Sequence, residues 1–227
     1  MSLDQLVKTS LTRVGALMTT RSMHRLNAAI NYMEVGRWMN ANSYLPKTRV
    51  QRRELLFDQV GKRIENLKVL YLEFGVWKGA SIRHWARLLT NPASQLHGFD
   101  SFEGLPEDFN LVLQKGGLST EGRIPQLDDS RVRFVKGWFE DTLPNYRPPE
   151  YDQLVVNIDC DLYSSTRFVL DTLEPLISDG TYLYFDDFSD RSHELRAFQE
   201  FRNRTGMHFE VIGATHELSN VMFQRVA

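Results

Sequence analysis

The clearest pattern in the chain is a six-residue apolar run, Val-Leu-Tyr-Leu-Glu-Phe at 69–74, which leads into a turn with glycines at 75 and 79. From 81 to 89 the apolar residues recur at helical spacing. A short apolar run followed by an amphipathic stretch predicts strand, turn and crossover helix, the opening of a βαβ unit. The alternation continues. Strands are predicted at 67–74, 95–99, 132–135, 153–158 and 181–185, with helices after the first, fourth and fifth. The run at 153–158 is apolar but for Asn157, which suits a central parallel strand covered on both faces. In the helix that follows, Ser164 or Ser165 is the expected cap, and Phe168, Val169, Leu170 and Leu173 are expected to face inward. Two last strands, 208–212 and 218–226, have no helix between them and read as an antiparallel edge pair. The expected fold is α/β, a Rossmann-like doubly wound seven-stranded mostly parallel sheet with one antiparallel edge strand, plus N-terminal helices.

Residues 1–65 carry no strand signal and form an expected helical extension, leaving 66–227 as the sheet domain. Within the extension, Leu26, Ile30, Met33 and Trp38 are candidates for one buried side of a helix at 21–40. Thr48 is the expected cap of a helix running to Ile64. The extension is expected to pack on the domain, cover the site or join a homo-oligomer.

Composition narrows the picture little. Of 227 residues, 42% are hydrophobic and 25% charged, and the formal net charge is −2, which implies no general nucleic-acid surface. The single cysteine, Cys160, forms no intrachain disulfide, which fits a cytoplasmic location. No apolar run approaches the ~20 residues of a membrane span.

The chemistry sits at the ends of the predicted strands. Gly75 and Gly79 allow a tight turn and close approach of a ligand to the backbone, with helix amides facing the same space. Val76, Ser81 and Ser101 belong to the same expected cofactor site. Asp100 follows the first turn at about the ~20-residue interval of a ribose-binding carboxylate, or else caps the next turn. Gly137 and Trp138 end the third strand, where Trp138 either stacks on a base or packs under a loop. The glycine-rich 101–130 stretch is too long for an ordinary connection and reads as a flap over the site or as a partly ordered surface excursion. Asp159 and the pair Asp186-Asp187 end neighbouring strands. Carboxylates brought together repel one another unless a cation intervenes, so a hard divalent ion, Mg²⁺ first, is the expected occupant. Asp161 completes that set, orients a ligand or serves as a base; Asp159 is another candidate base, and His193 is either a third or a surface histidine at a helix start.

Glu-Phe-Gly-Val-Trp-Lys-Gly at 73–79 combines with Gly-Phe-Asp-Ser-Phe-Glu-Gly-Leu-Pro at 98–106 and Gly-Trp-Phe-Glu-Asp-Thr-Leu-Pro at 137–144. Ile-Asp-Cys-Asp-Leu-Tyr-Ser-Ser-Thr at 158–166 and Phe-Asp-Asp-Phe at 185–188 follow in order. On these motifs the chain, from about residue 67 onward, resembles the macrocin O-methyltransferase family of class I methyltransferases. The resemblance implies methyl transfer from S-adenosylmethionine to a hydroxyl of a sugar, glycan or natural-product acceptor, assisted by a divalent metal. It implies Glu73 and Gly75 as the first cofactor motif, Asp100 as the ribose carboxylate, and Asp159, Asp186 and Asp187 as metal ligands. Asp-Gly-Thr at 179–181 stands where many relatives carry two glycines, an expected change in a turn alone. Three rivals remain. A nicotinamide-dependent sugar oxidoreductase expects a third glycine in the first turn. A non-catalytic binding protein on the same sheet would have lost the acids. A metal-dependent hydrolase leaves the glycine turn unexplained.

Overall fold

The computed structural model describes residues 2–227. The strands are β1 (Arg49–Val50), β2 (Val69–Phe74), β3 (Gln95–Asp100), β4 (Val132–Lys136), β5 (Gln153–Ile158), β6 (Tyr182–Phe185), β7 (His208–Thr215) and β8 (Val221–Val226). They make one sheet in the order β1-β7-β8-β6-β5-β2-β3-β4. β8 is the one reversed strand, antiparallel to both β6 and β7, while all other pairings are parallel. It lies between its two partners, and β7 returns to the common direction. The eighth strand corrects the strandless reading of 1–65: Arg49 and Val50 pair in parallel with Ala214 and Thr215. Two residues are too few to leave a periodic signal.

The helices are α1 (Leu3–Ala16), α2 (Thr20–Ala41), α3 (Glu54–Ile64), α4 (Ala80–Leu88), α5 (Phe139–Thr142), α6 (Tyr163–Leu173) and α7 (Glu194–Thr205). Alternation along the strands sorts them into layers. Val69 and Tyr71 of β2 pack with Leu56, Phe57 and Val60 of α3 and Ile82 and Trp85 of α4. Leu70, Leu72 and Phe74 face the other way, toward Val169 and Leu170 of α6, Phe198 of α7 and Trp38 of α2. Each such side chain, fully removed from water, contributes roughly 1.5–3 kcal/mol.

The α2 face differs from the expected one. Asn31, Val35, Trp38 and Met39 are buried, whereas Leu26, Ile30 and Met33 are exposed. The middle of the helix reaches the body through Asn27 and Asn31, which bond Arg191, and Asn31 also bonds Asp190; in the last turns Trp38 meets Phe188 and Phe198 edge-on. Thr48 caps no helix; its carbonyl accepts the Ala214 amide and so belongs to the β1–β7 edge. α3 starts six residues later than Thr48, with no side-chain cap. Among the described residues no helix is long and apolar enough to cross a membrane.

Candidate active site

The sheet order reverses at β2, with β3 and β4 on one side and β5 and β6 on the other. The carboxyl ends of strands at such a switch point leave a crevice. A cavity of about 440 Å³ opens there, reached by Gly75 after β2, Asp100 at the end of β3, Gly137 after β4, Asp159 after β5 and Asp186 after β6.

One half of the cavity is the glycine turn. Gly75 has φ +90°, and a Cβ on it would lie 1.7 Å from the Asp159 carbonyl oxygen. Only glycine fits between the ends of β2 and β5. The Gly75 amide donates to the Phe99 carbonyl at 3.0 Å. Asp100 then holds the turn: Oδ2 accepts the Val76 and Trp77 amides at 2.8 and 2.7 Å. Its Oδ1 accepts the Phe102 amide at 2.7 Å. Each oxygen has two lone pairs, so Oδ1 keeps one for a ligand. Val76 and Ser81 line the cavity, and Gly79, with φ +74°, starts α4 beside it. Ser101, Gly137 and Trp138 line the opposite wall. Leu105, Pro106 and Leu118 of the long irregular segment between β3 and β4 complete it.

Glu73 is not brought to the wall. It is 1% exposed, points toward the α3–α4 layer, and accepts the Tyr71 hydroxyl. Burial raises its pKa to about 8, against the Tyr71 hydrogen bond and Arg53. Tyr71 in turn accepts Asn157 Nδ2 at 2.7 Å. The acid of the first motif is here a member of a buried polar chain under the turn.

The other half is acidic. Asp159, Asp161, Asp186 and Asp187 all line the cavity. Asp161 is buried, takes φ +60°, and shares a hydrogen bond with Asp187. Burial, that hydrogen bond and the charge of Asp187 push its pKa up to about 9. Asp187 is also raised, first by burial. Two neighbouring carboxyl groups that share one proton behave in this way. Behind them Glu194 accepts the Asp187 amide at 3.0 Å through Oε2, while its buried Oε1 has no partner among the described residues.

Arg53, which the sequence reading missed, enters this half from the segment between β1 and α3. Its Nη1 donates to Asp186 Oδ1 at 2.6 Å and to Asp159 Oδ2 at 3.2 Å. Burial works against its charge, but Asp186 and Asp159 outweigh it and raise its pKa. Asp186 Oδ1 also accepts the Tyr184 hydroxyl and Asn220 Nδ2, the latter at 2.8 Å. The expected Mg²⁺ set of Asp159, Asp186 and Asp187 does not fit this arrangement. Two of its members are bound to a guanidinium, and the third is bound to Asp161. Among the described residues no three His, Cys, Asp or Glu side chains are grouped to hold a metal. The only sequence signal for Arg53 was the need for a cation among the acids, a need that an arginine meets as well as a metal does.

His193 lies outside the cavity. Its Nδ1 accepts the Tyr163 amide at 3.1 Å, capping α6, and its Nε2 donates to the Phe109 carbonyl at 2.9 Å. With both nitrogens engaged it is a structural cap and not a base. It takes the capping place expected of Ser164 or Ser165, and α6 has no cap bond from its own N-cap side chain.

Known proteins resemble this one over much of its length. The family model described as Macrocin-O-methyltransferase (TylF) matches residues 119–221, so the resemblance read from the motifs is borne out. The chain is 34% identical over 158 residues to the 8-demethyl-8-(2,3-dimethoxy-alpha-L-rhamnosyl)-tetracenomycin-C 4'-O-methyltransferase of Streptomyces olivaceus, covering 60% of this chain and 59% of that one. It is 29% identical over 212 residues to the demethyldecarbamoylnovobiocin O-methyltransferase of Streptomyces niveus, covering 82% and 76%. The solved structure of the O-methyltransferase NovP superposes with a TM-score of 0.60 at 28% identity, over 77% of this chain and 80% of that one.

Proposed function

We propose that this protein is an S-adenosylmethionine-dependent O-methyltransferase acting on a hydroxyl of a sugar, glycan or other natural product. One observation carries the reading. A single cavity joins a glycine turn braced by Asp100 to a buried carboxyl pair, at the switch point of a sheet shared with O-methyltransferases. The acceptor class follows from the relatives, two of which are named for methylating a rhamnosyl-bearing tetracenomycin and demethyldecarbamoylnovobiocin.

The glycine turn, Asp100 and the Gly137-Trp138 wall hold the cofactor, whose sulfonium methyl is already activated. The protein's main task is alignment. The acceptor oxygen forms the new bond to the methyl carbon as the sulfur–carbon bond breaks. The electron pair returns to sulfur, giving S-adenosylhomocysteine. The hydroxyl proton passes to Asp161, which lines the cavity and is paired with Asp187. Entry of the sulfonium cation favours ionisation of that pair and prepares the base.

The helical extension, residues 1–65, is assigned in part to contact between copies. α1 has 14 residues and buries none of them, and Leu3, Leu6, Leu11 and Val14 are exposed. An isolated helix of roughly 12–15 residues is marginal in water, so a second copy covering this side would support it. Sedimentation of the protein and of Leu6→Glu tests this, with dissociation expected in the variant.

Calorimetric titration with S-adenosylmethionine, S-adenosylhomocysteine and NAD tests the main reading. The two sulfur nucleosides are expected to bind and NAD is not. Binding of NAD alone would return the oxidoreductase reading, and binding of none would end the methyltransferase one.

A further inference from the structure

Six carboxyl groups gather beneath and around the acidic half of the cavity: Glu73, Asp159, Asp161, Asp186, Asp187 and Glu194. Two of them, Asp161 and Asp187, line the cavity together. Glu73 and Glu194 are buried where the neutral form is favoured. Asp159 and Asp186 are left facing each other across the carboxyl ends of adjacent parallel strands. A positive charge between them relieves their repulsion. The charge on hand is the Arg53 guanidinium, whose one terminal nitrogen serves both carboxylates.

We propose that Arg53 is the resident cation of this site. It fills the place between Asp159 and Asp186 that a divalent ion would take, and methyl transfer proceeds without such an ion. The inference rests on the methyltransferase reading given above. Three features support it. The first is position: Arg53 lines the same cavity as the acids, and its side chain is 27% exposed, so it is a wall group and not a surface arm. The second is saturation. Asp186 Oδ1 receives Arg53, Tyr184 and Asn220, and Asn220 also bonds the Asp186 carbonyl. A hard divalent ion asks for about six oxygens at close range, and an oxygen already receiving three donors has no lone pair free for it. The third is charge. A metal seated here would set a second cation beside the partly buried guanidinium, and like charges repel.

The consequence for chemistry is a division of labour. Arg53 holds Asp159 and Asp186 in place through its hydrogen bonds and leaves Asp161 as the group that accepts the proton. In the transfer step the acceptor O–H proton goes to Asp161, the oxygen–methyl bond forms and the sulfur–methyl bond breaks. No electron pair needs a metal to receive it. Arg53 touches the acids and acts through them, so it is a positioning residue.

The test is calorimetric titration of Mg²⁺ and of Mn²⁺ into the full-length protein and into Arg53→Gln, each with S-adenosylhomocysteine present. The wild type is expected to bind neither ion at up to roughly millimolar concentration. Arg53→Gln, with its carboxylates released, is expected to bind them at least about tenfold more tightly. Arg53→Lys, which restores a charge, is expected to return to wild-type behaviour. Micromolar binding of either ion by the wild type would overturn the proposal, as would an Arg53→Gln variant with no gain. The wild-type arm decides even where the variant fails to fold. The S-adenosylhomocysteine titration stands apart. Its failure would sink the methyltransferase reading while leaving the metal result to be read on its own.

Discussion

The two halves of the cavity are built by different means. The cofactor half is local. The turn, its glycines and the start of α4 lie within residues 75–81, and their brace, Asp100, comes from the next strand. The acidic half is assembled from afar. Arg53 meets Asp159 and Asp186 across sequence separations of 106 and 133 residues, and Asn220 adds a third segment. A local site depends on backbone angles, and a dispersed one depends on charge balance. The first is therefore expected to fail through conformation and the second through ionisation.

The largest effect that separates them is at Asp161. Asp161→Asn is expected to lower the rate of transfer by about 10²–10⁴-fold, with S-adenosylmethionine affinity retained in calorimetry. Equal loss of binding would show that the two halves are not independent. Gly75→Ala should do the opposite. Its Cβ would press on the Asp159 carbonyl at φ +90°, so both thermal stability and cofactor binding are expected to fall, with strain of about 1–3 kcal/mol as the least cost. Asp100→Asn is a milder conformational break. It weakens charge-assisted bonds to three amides and is expected to reduce cofactor affinity by about 10-fold or more.

The next test is pH. Asp161 has a folded pKa of about 9 against an ordinary value of 3.8. Its protonated form is favoured by the fold, so its stabilising contribution is complete below about 3.8 and is lost as pH rises through about 9. Activity runs the other way, because the ionised form is the base. Transfer rate is expected to climb from pH 7 toward 9 while melting temperature declines, and Asp161→Asn is expected to flatten that decline. The smallest effect is at His193. His193→Ala removes the cap of α6 and is expected to cost about 0.5–2 kcal/mol in denaturant unfolding, leaving the pH profile of transfer unchanged.

Sequence disclosed these regions unequally. The strand–turn–helix at 69–88 was readable because its hydrophobic period changes from strand to helix at the glycines, and Asp100 was readable from its interval. The carboxylates at the ends of β5 and β6 were also legible, since strand ends in such sheets share a rim. Their companion was not. Arg53 lies in an Arg-Arg-Glu run before α3, and no local pattern distinguishes it from a solvated charge. Glu73 was placed at the cofactor by motif alone, but strand alternation aims it into the α3–α4 layer with Tyr71. His193 looked available because a sequence does not show which amide needs a cap. The inner side of α2 was misjudged because its first turns extend beyond the body, so its apolar residues there meet no partner among the described residues.

The contact at Gly75 has an evolutionary reading. The width of one missing carbon atom separates the glycine turn after β2 from the strand end that leads into the acidic half of the cavity. Drift at most surface positions leaves such an enzyme working, but at this position any side chain must pry β5 away from β2. Residue 75 is therefore the point at which the two halves of the cavity are tied to one another through the backbone alone.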